Sequence, residues 1–237
     1  MRRELIAPRA NWQHEMEAIG FHYHTIDGTY WDESRCYAFT EGEIDQLESA
    51  TAELHKMALN AAQQIVGSAR YEEFAIPNEW IPSIEASWRA CQERRPAGFT
   101  LFGRMDLAYD GASPPKLLEY NADTPTACLE ASVAQWHWLQ AVRPAADQFN
   151  SLHEKLIEAW RTLRELSGES LRESSGEQRL HFVAVADSAE DWGNVDYLRD
   201  AAMQAGWQTF ALPLERIGWN GAAFVDEFNL PIRRLFK

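Results

Sequence analysis

Four residues able to bind a metal or a phosphate lie in two short segments separated by turn-forming residues. Arg104 and Asp106 lie in FTLFGRMDLAYD, and Glu119 and Asn121 lie in KLLEYNAD. Because side chains alternate along a strand, each pair lies on one face of its segment. The intervening GASPP is rich in residues that favour tight turns. The pattern therefore predicts a β-hairpin.

The register of this hairpin decides whether the four side chains meet. A symmetric hairpin with its turn centred on residues 112–113 places Asp106 opposite Glu119, and Arg104 opposite Asn121. The alternate positions are apolar or aromatic, and we expect them to face a core. They are Met105, Leu107, Leu118 and Tyr120.

Such an arrangement would suit a hard cation. Two carboxylates opposite each other repel unless positive charge lies between them. Carboxylate and amide oxygens are ligands that Mg²⁺ accepts together with water and phosphate. An arginine fork beside them matches phosphoryl oxygens, as transfer of phosphate from ATP requires. The spacing alone leaves a second interpretation open, a solvated hairpin face on which Arg104 neutralises two acids.

The segments FGRMDLAYDG and KLLEYNADTPT, together with GFHYHTIDGTYWDE and DWGNVDYLRDAAMQAG, resemble the glutathionylspermidine synthase family and its shorter acid–amine ligase relatives. The resemblance runs over nearly the whole chain. It implies an ATP-grasp variant that uses ATP and Mg²⁺ to activate a carboxylate as an acyl phosphate, which an amine then captures. Small-molecule acids and amines, such as a peptide and a polyamine, would be its partners.

The same resemblance implies roles for individual residues. Asp106, Glu119 and Asn121 resemble the Mg²⁺ ligands. Arg104 resembles the catalytic arginine that steadies the transferred phosphoryl group.

Three residues beyond the hairpin also match family positions. Thr124 and Thr126 match serines near the carboxylate of the peptide substrate, which makes them candidate substrate-binding residues. Thr124 has an alternative role, since with Asp123 it could cap a helix that begins near Pro125. Glu130 aligns with a family acid, and we expect it to be exposed or to form a structural pair.

Helices are predicted on either side of the hairpin. Thr40 and Glu43 form a capping box, and an apolar stripe at helical spacing continues to about Val66, with Gly67 as its stop. Further helices are predicted at residues 83–95, 129–142 and 147–166.

The C-terminal part is predicted to be a β-α-β unit with parallel strands. Its strands are HFVAVAD and WQTFAL, its helix covers residues 195–204, and the loop DSAEDWGN is a place where a ligand could sit. We therefore predict an α/β fold, with an ATP-grasp-like mixed sheet around the hairpin, flanking helices and a small β-α-β subdomain. The linker-like SGESLRESSGEQ divides a metal- and substrate-binding part, residues 1–174, from residues 175–237.

Composition excludes several kinds of partner. The chain has 36 acidic and 22 basic residues and a net charge of −14, which argues against nucleic acid or an anionic membrane as the main partner. No apolar run is long enough for a membrane span. The cysteines are few and form neither a disulfide framework nor a zinc motif, so a reducing cytoplasm is expected.

The position at which the sequence ends lowers the activity that we expect of it. The resemblance implies a chain truncated before the nucleotide-binding half, with an incomplete β-α-β part, so we expect little ligation by residues 1–237 alone. Two alternatives stay open. One is a truncated, non-catalytic module that binds a peptide or polyamine, and the other is a metal-dependent hydrolase that uses Asp106 and Glu119.

Overall fold

The computed structural model describes residues 1–123, 126–170 and 179–237. The chain divides into two compact units. Unit 1 comprises residues 1–4 and 37–122, and unit 2 comprises residues 5–36 and 123–237. The predicted boundary near residue 175 stays a prediction, because most of its linker lies outside the described residues.

Helices and strands alternate along the chain, which confirms the α/β class. The helices are α1 (Trp12–Ala18), α2 (Glu41–Ser68), α3 (Ile81–Gln92), α4 (Gln135–Val142), α5 (Leu152–Ser170) and α6 (Ala189–Gln204), with a π-helical turn at Glu130–Ala134. The strands are β1 (Arg2–Leu5), β2 (Arg35–Ala38), β3 (Arg104–Ala108), β4 (Lys116–Asn121), β5 (Arg179–Ala184), β6 (Gln208–Pro213), β7 (Gly218–Trp219), β8 (Phe224–Val225) and β9 (Leu235–Phe236). No helix in the described ranges is both long and apolar enough to cross a membrane.

The strands form several small sheets. The described strands pair as β1–β2, β3–β4 and β7–β8, and as a three-stranded sheet in the order β6-β5-β9. The β3–β4 hairpin is thus a two-stranded sheet of its own among the described residues, where a larger mixed sheet around it was expected.

Helix α2 is the longest element of unit 1, and its start follows from local chemistry. The side chain of Glu43 accepts a hydrogen bond from the Thr40 backbone N–H at 2.8 Å, and the Thr40 hydroxyl oxygen accepts one from the Glu43 N–H at 3.4 Å. This confirms the predicted capping box. The helix passes through Gly67 and ends at Ser68, and its C-cap, Ala69, takes the left-handed conformation (φ +54°). The predicted stop at Gly67 therefore lies two residues before the observed C-cap.

The predicted β-α-β unit is confirmed in unit 2. β5 pairs in parallel with β6, and α6 connects the two strands. Helix α6 begins earlier than expected because the Ser188 hydroxyl accepts the Asp191 N–H at 3.2 Å and caps it. β9 lies parallel to the other edge of β5.

The core of unit 2 packs helices α5 and α6 against this sheet. Phe182 of β5 is fully buried, and its ring centroid lies 5.7 Å from that of Trp160 on α5. The Trp207 indole N–H, just before β6, donates to the Trp160 carbonyl at 2.8 Å. Helix α5 is thus held to the sheet by ring packing with Phe182 and by the hydrogen bond from the Trp207 indole.

Candidate metal-binding hairpin and substrate site

The observed register of the β3–β4 hairpin is the one predicted from the sequence at the four polar positions. Asp106 pairs with Glu119, and Arg104 pairs with Asn121. Directly opposed residues in an antiparallel ladder share a face. Two carboxylates, an amide and a guanidinium therefore lie together on one face of the hairpin.

A β-bulge follows this group of side chains. The register shifts between Asp106 and Leu107, so that Leu107 pairs with Leu117 and leaves Leu118 as the extra residue. Leu118 is 70% exposed, and the expectation that it faces a core is wrong. The bulge therefore shifts the strand register immediately beyond the pair formed by Asp106 and Glu119.

Arg104 and Asp106 form an ion pair along β3. The Arg104 Nε donates to Asp106 Oδ1 at 2.9 Å, and Nη2 lies 3.5 Å from Oδ2. The side chains are 35% and 42% exposed, so solvent screens the attraction. The guanidinium supplies the positive charge that two facing carboxylates require.

The opposite face of the hairpin is anchored to helix α2. The Tyr120 hydroxyl lies 2.7 Å from His55 Nδ1, and the Tyr109 hydroxyl donates to Gln46 Oε1 at 2.9 Å. Gly103 allows the Tyr120 ring to lie close, since a Cβ at this glycine would come within 2.8 Å of Tyr120 Cε2. Tyr120 therefore points towards α2, and the polar residues on either side of it in β4 point away.

Sequence reasoning missed this anchor. His55 and Tyr120 are 65 positions apart, and no local pattern connects them. The only sequence signal is a histidine on the polar side of an amphipathic helix, which is far too common to be specific.

The turn of the hairpin is fixed by Asp110. Its Oδ1 accepts the backbone N–H groups of Ala112 and Ser113 at 2.9 and 2.7 Å. These hydrogen bonds stabilise the ionised carboxylate and lower the pKa of Asp110 to about 2. The turn is thus held by local hydrogen bonds that involve none of the four polar residues Arg104, Asp106, Glu119 and Asn121.

The chemistry of the polar face fits Mg²⁺. Asp106, Glu119 and Asn121 offer oxygen atoms only, on one face and in register, and a hard cation prefers such donors. No group of three or more His, Cys, Asp or Glu residues in the described chain could hold a metal. The predicted ligands Asp106, Glu119 and Asn121 are not such a group, because one of the three is an amide. Their role as a metal site stays a prediction.

The two predicted substrate threonines lie just beyond β4. Thr124 lies outside the described residues. Thr126 is half-buried. Their roles in substrate binding stay predictions.

Glu130 is buried rather than exposed. It is 7% exposed, and its Oε1 accepts a hydrogen bond from the Tyr30 hydroxyl at 2.7 Å. The expectation of exposure is wrong, whereas the alternative, a structural pair, is observed. Sequence reasoning could not find this contact, because Tyr30 lies 100 residues away.

Comparison with known proteins decides the family. A family model described as glutathionylspermidine synthase preATP-grasp matches residues 3–237. The chain belongs to the glutathionylspermidine synthase family. It is 41% identical over 228 residues to a Haemophilus influenzae protein assigned as an acid–amine ligase, a match that covers 92% of this chain and 54% of that protein.

More distant relatives are also synthetases. The chain is 30% identical over 194 residues to the bifunctional glutathionylspermidine synthetase/amidase of Escherichia coli, covering 78% of this chain and 28% of that enzyme. It is 25% identical over 193 residues to the trypanothione synthetase of Crithidia fasciculata, covering 78% and 27% respectively. This member of the family therefore spans about half, or less, of the length of these relatives.

The anchor between hairpin and helix yields a first prediction. Tyr120→Phe and His55→Ala should each destabilise unit 1, and the double mutant should lose less than the sum. We expect a coupling energy of about 0.5–1.5 kcal/mol, as for a hydrogen bond. Urea unfolding of the four proteins measures it. Additive losses would contradict a direct hydrogen bond between the two side chains.

The polar face yields a second prediction. Mg²⁺ at ten times its dissociation constant should stabilise the protein by about 1.4 kcal/mol, visible as a rise in melting temperature. Asp106→Asn should abolish the rise, because it removes one of two charged ligands. Asp45→Asn, an exposed position on α2, removes the same charge and should retain it. An equal rise in all three proteins would place the cation elsewhere.

Proposed function

We propose that this chain provides the metal-binding and part of the substrate-binding surface of an ATP- and Mg²⁺-dependent ligase that joins a carboxylate to an amine. The observation that supports this most directly is the register of β3 and β4, which puts Asp106 opposite Glu119 and Arg104 opposite Asn121. Membership of a family whose relatives bear the names of ligases and synthetases supports the reaction class.

The proposed ligands are Asp106, Glu119 and Asn121. When bound, Mg²⁺ would neutralise the polyphosphate of ATP, which is what phosphoryl transfer most needs from a protein site. Arg104 is proposed to exchange its present contact with Asp106 for contacts with phosphoryl oxygens. Its planar guanidinium can meet two oxygens at once.

The proposed reaction has two steps. A carboxylate oxygen of the acid attacks the γ-phosphorus of ATP, the bond to the β-phosphate oxygen breaks, and ADP leaves behind an acyl phosphate. The amine nitrogen then attacks the acyl carbon, the bond between that carbon and the phosphate oxygen breaks, and the nitrogen loses a proton. The products are an amide, ADP and phosphate.

Charge develops on oxygen in both steps. Stabilisation by positioned donors therefore matters more than a strong general base. Arg104 is proposed as the catalytic donor in this scheme.

The substrates are proposed from chemistry and from the names of the relatives. A glutathione-like peptide would supply the carboxylate, held by Thr124 and Thr126, and a polyamine would supply the amine. The net charge of −14 favours approach of a cationic substrate. Cys36, Cys91 and Cys128 form no disulfide with one another in the described structure, which fits a reducing cytoplasm as the proposed compartment.

Steady-state kinetics of the complete product of the gene test this function. ADP release should require Mg²⁺, an acid such as glutathione and an amine such as spermidine together, with an amide as product. Arg104→Ala should lower kcat by roughly 10²–10³-fold with a smaller change in KM for the acid, because its donors act on charge that develops in the transition state.

The control is Asp45→Asn, which should keep the kinetics of the parent protein. Phosphate release without amide formation would favour the metal-dependent hydrolase. Binding of peptide or polyamine with no dependence on nucleotide, and no turnover, would favour the non-catalytic binding module. Either result would contradict the proposed function.

A further inference from the structure

The backbone takes two unusual conformations directly after Thr126, a proposed acid-binding residue of unit 2. Ala127 is left-handed (φ +69°), a conformation that residues with a Cβ rarely adopt. The helix that follows contains the π-helical turn Glu130–Ala134, in which the Gln135 N–H donates to the Glu130 carbonyl. Such turns are rare and occur frequently at functional sites.

Hydrogen bonds from two other elements of unit 2 hold this backbone. Nδ2 of Asn150, just before α5, donates to the Ala131 carbonyl at 3.1 Å, and the Ala131 N–H donates to the Ala127 carbonyl at 3.1 Å. The Cys128 N–H donates to Oδ1 of Asn194 on α6 at 3.3 Å. The peptide group that joins Ala127 to Cys128 is therefore held both at its carbonyl and at its N–H.

These contacts explain how a strained backbone persists at this place. A left-handed alanine is stable only where the surrounding structure enforces it, and such residues cluster at ligand-binding sites. Here the enforced peptide lies one residue after Thr126. Because Thr126 is half-buried, a shift of this peptide would move its hydroxyl within a confined space.

Asn150 makes two contacts that can be separated by mutation. Its Oδ1 accepts the Leu152 N–H at 3.3 Å and so caps the first turn of α5. Its Nδ2 serves the Ala131 carbonyl in the π-helical turn. A carboxylate at this position would keep the first contact and lose the second.

We propose that Asn150 is a positioning residue for the acid substrate. Through Ala131 it holds the peptide between Ala127 and Cys128, and this peptide sets the place of Thr126. Asn194 holds the same peptide from its other side, so the helix stays folded when the contact from Asn150 is lost. The link to the acid rests on the proposed function.

Asn150→Asp in the complete product of the gene tests this role. The melting temperature should stay the same or rise, because the carboxylate still accepts the Leu152 N–H and adds negative charge at the start of a helix. The carboxylate cannot donate to the Ala131 carbonyl. The KM and the dissociation constant for glutathione, used as the acid, should therefore rise by about 3- to 10-fold, as expected for the loss of one hydrogen bond.

The kinetic constants separate positioning from a role in folding alone. The KM for spermidine, used as the amine, and kcat at saturating glutathione should stay as in the parent protein. A residue that served the fold alone would lower the melting temperature and leave the KM for glutathione unchanged. That result would overturn the proposal.

Asn220→Asp is the matched control. Oδ1 of Asn220 accepts the N–H groups of Ala222 and Ala223 at 3.0 Å in the turn between β7 and β8. The exchange keeps these acceptor contacts and adds the same charge at an exposed position, so glutathione affinity should not change. An equal loss of affinity in Asn220→Asp and Asn150→Asp would show a general effect of charge and contradict the proposal.

A second-site variant tests the route through Ala127. Glycine adopts a positive φ without strain, so Ala127→Gly removes the need to enforce this conformation. Combined with Asn150→Asp, it should recover part of the lost affinity for glutathione. No recovery in the double mutant would contradict the proposed route.

Failure of the ligase and failure of this inference give different results. A parent protein that binds glutathione without forming an amide would contradict the ligase, and the dissociation constants from titration calorimetry would still decide the role of Asn150. Amide formation with a KM for glutathione that Asn150→Asp leaves unchanged would contradict the positioning role alone. A parent protein that binds no glutathione would contradict both.

Discussion

The repulsion between two carboxylates that face each other across one ladder is the constraint on which the account of this protein depends. Asp106 and Glu119 are paired in the β3–β4 hairpin, and like charges at such a position destabilise a sheet. Arg104 relieves the repulsion through its contact with Asp106. That contact is solvent-exposed and weak, so a divalent cation could displace it at little cost. We propose that this face exchanges its internal ion pair for a metal and its phosphate.

The rest of unit 1 serves to hold that face in place. Helix α2 anchors the apolar side of the hairpin through His55 and Tyr120, and Asp110 fixes the turn. The bulge at Leu118 interrupts the regular ladder beside the two acids, and bulges of this kind increase the local twist. Unit 1 thus presents an oxygen-rich face whose donors suit a hard cation.

Local patterns predicted the elements that depend on neighbouring residues. The capping box at Thr40, the hairpin register and the parallel β-α-β unit all follow from spacing and turn chemistry. Contacts between distant segments could not be predicted: the pairing of Tyr30 with Glu130 joins residues that only the fold brings together. The exposure of Leu118 was missed for a different reason, since one extra residue in a strand reverses the side on which later side chains lie. The metal-binding interpretation came from the family resemblance, because the spacing of the four polar residues alone did not exclude a solvated hairpin face.

Anomalous diffraction from crystals of the protein soaked with Mn²⁺, a substitute for Mg²⁺, is the most direct test of the metal site. We predict an anomalous peak on the polar face of the hairpin, with oxygens of Asp106, Glu119 and Asn121 about 2.1 Å away and with Arg104 released from Asp106. A hairpin without a peak, and with Arg104 still paired to Asp106 at a Mn²⁺ concentration that saturates the protein in solution, would contradict it.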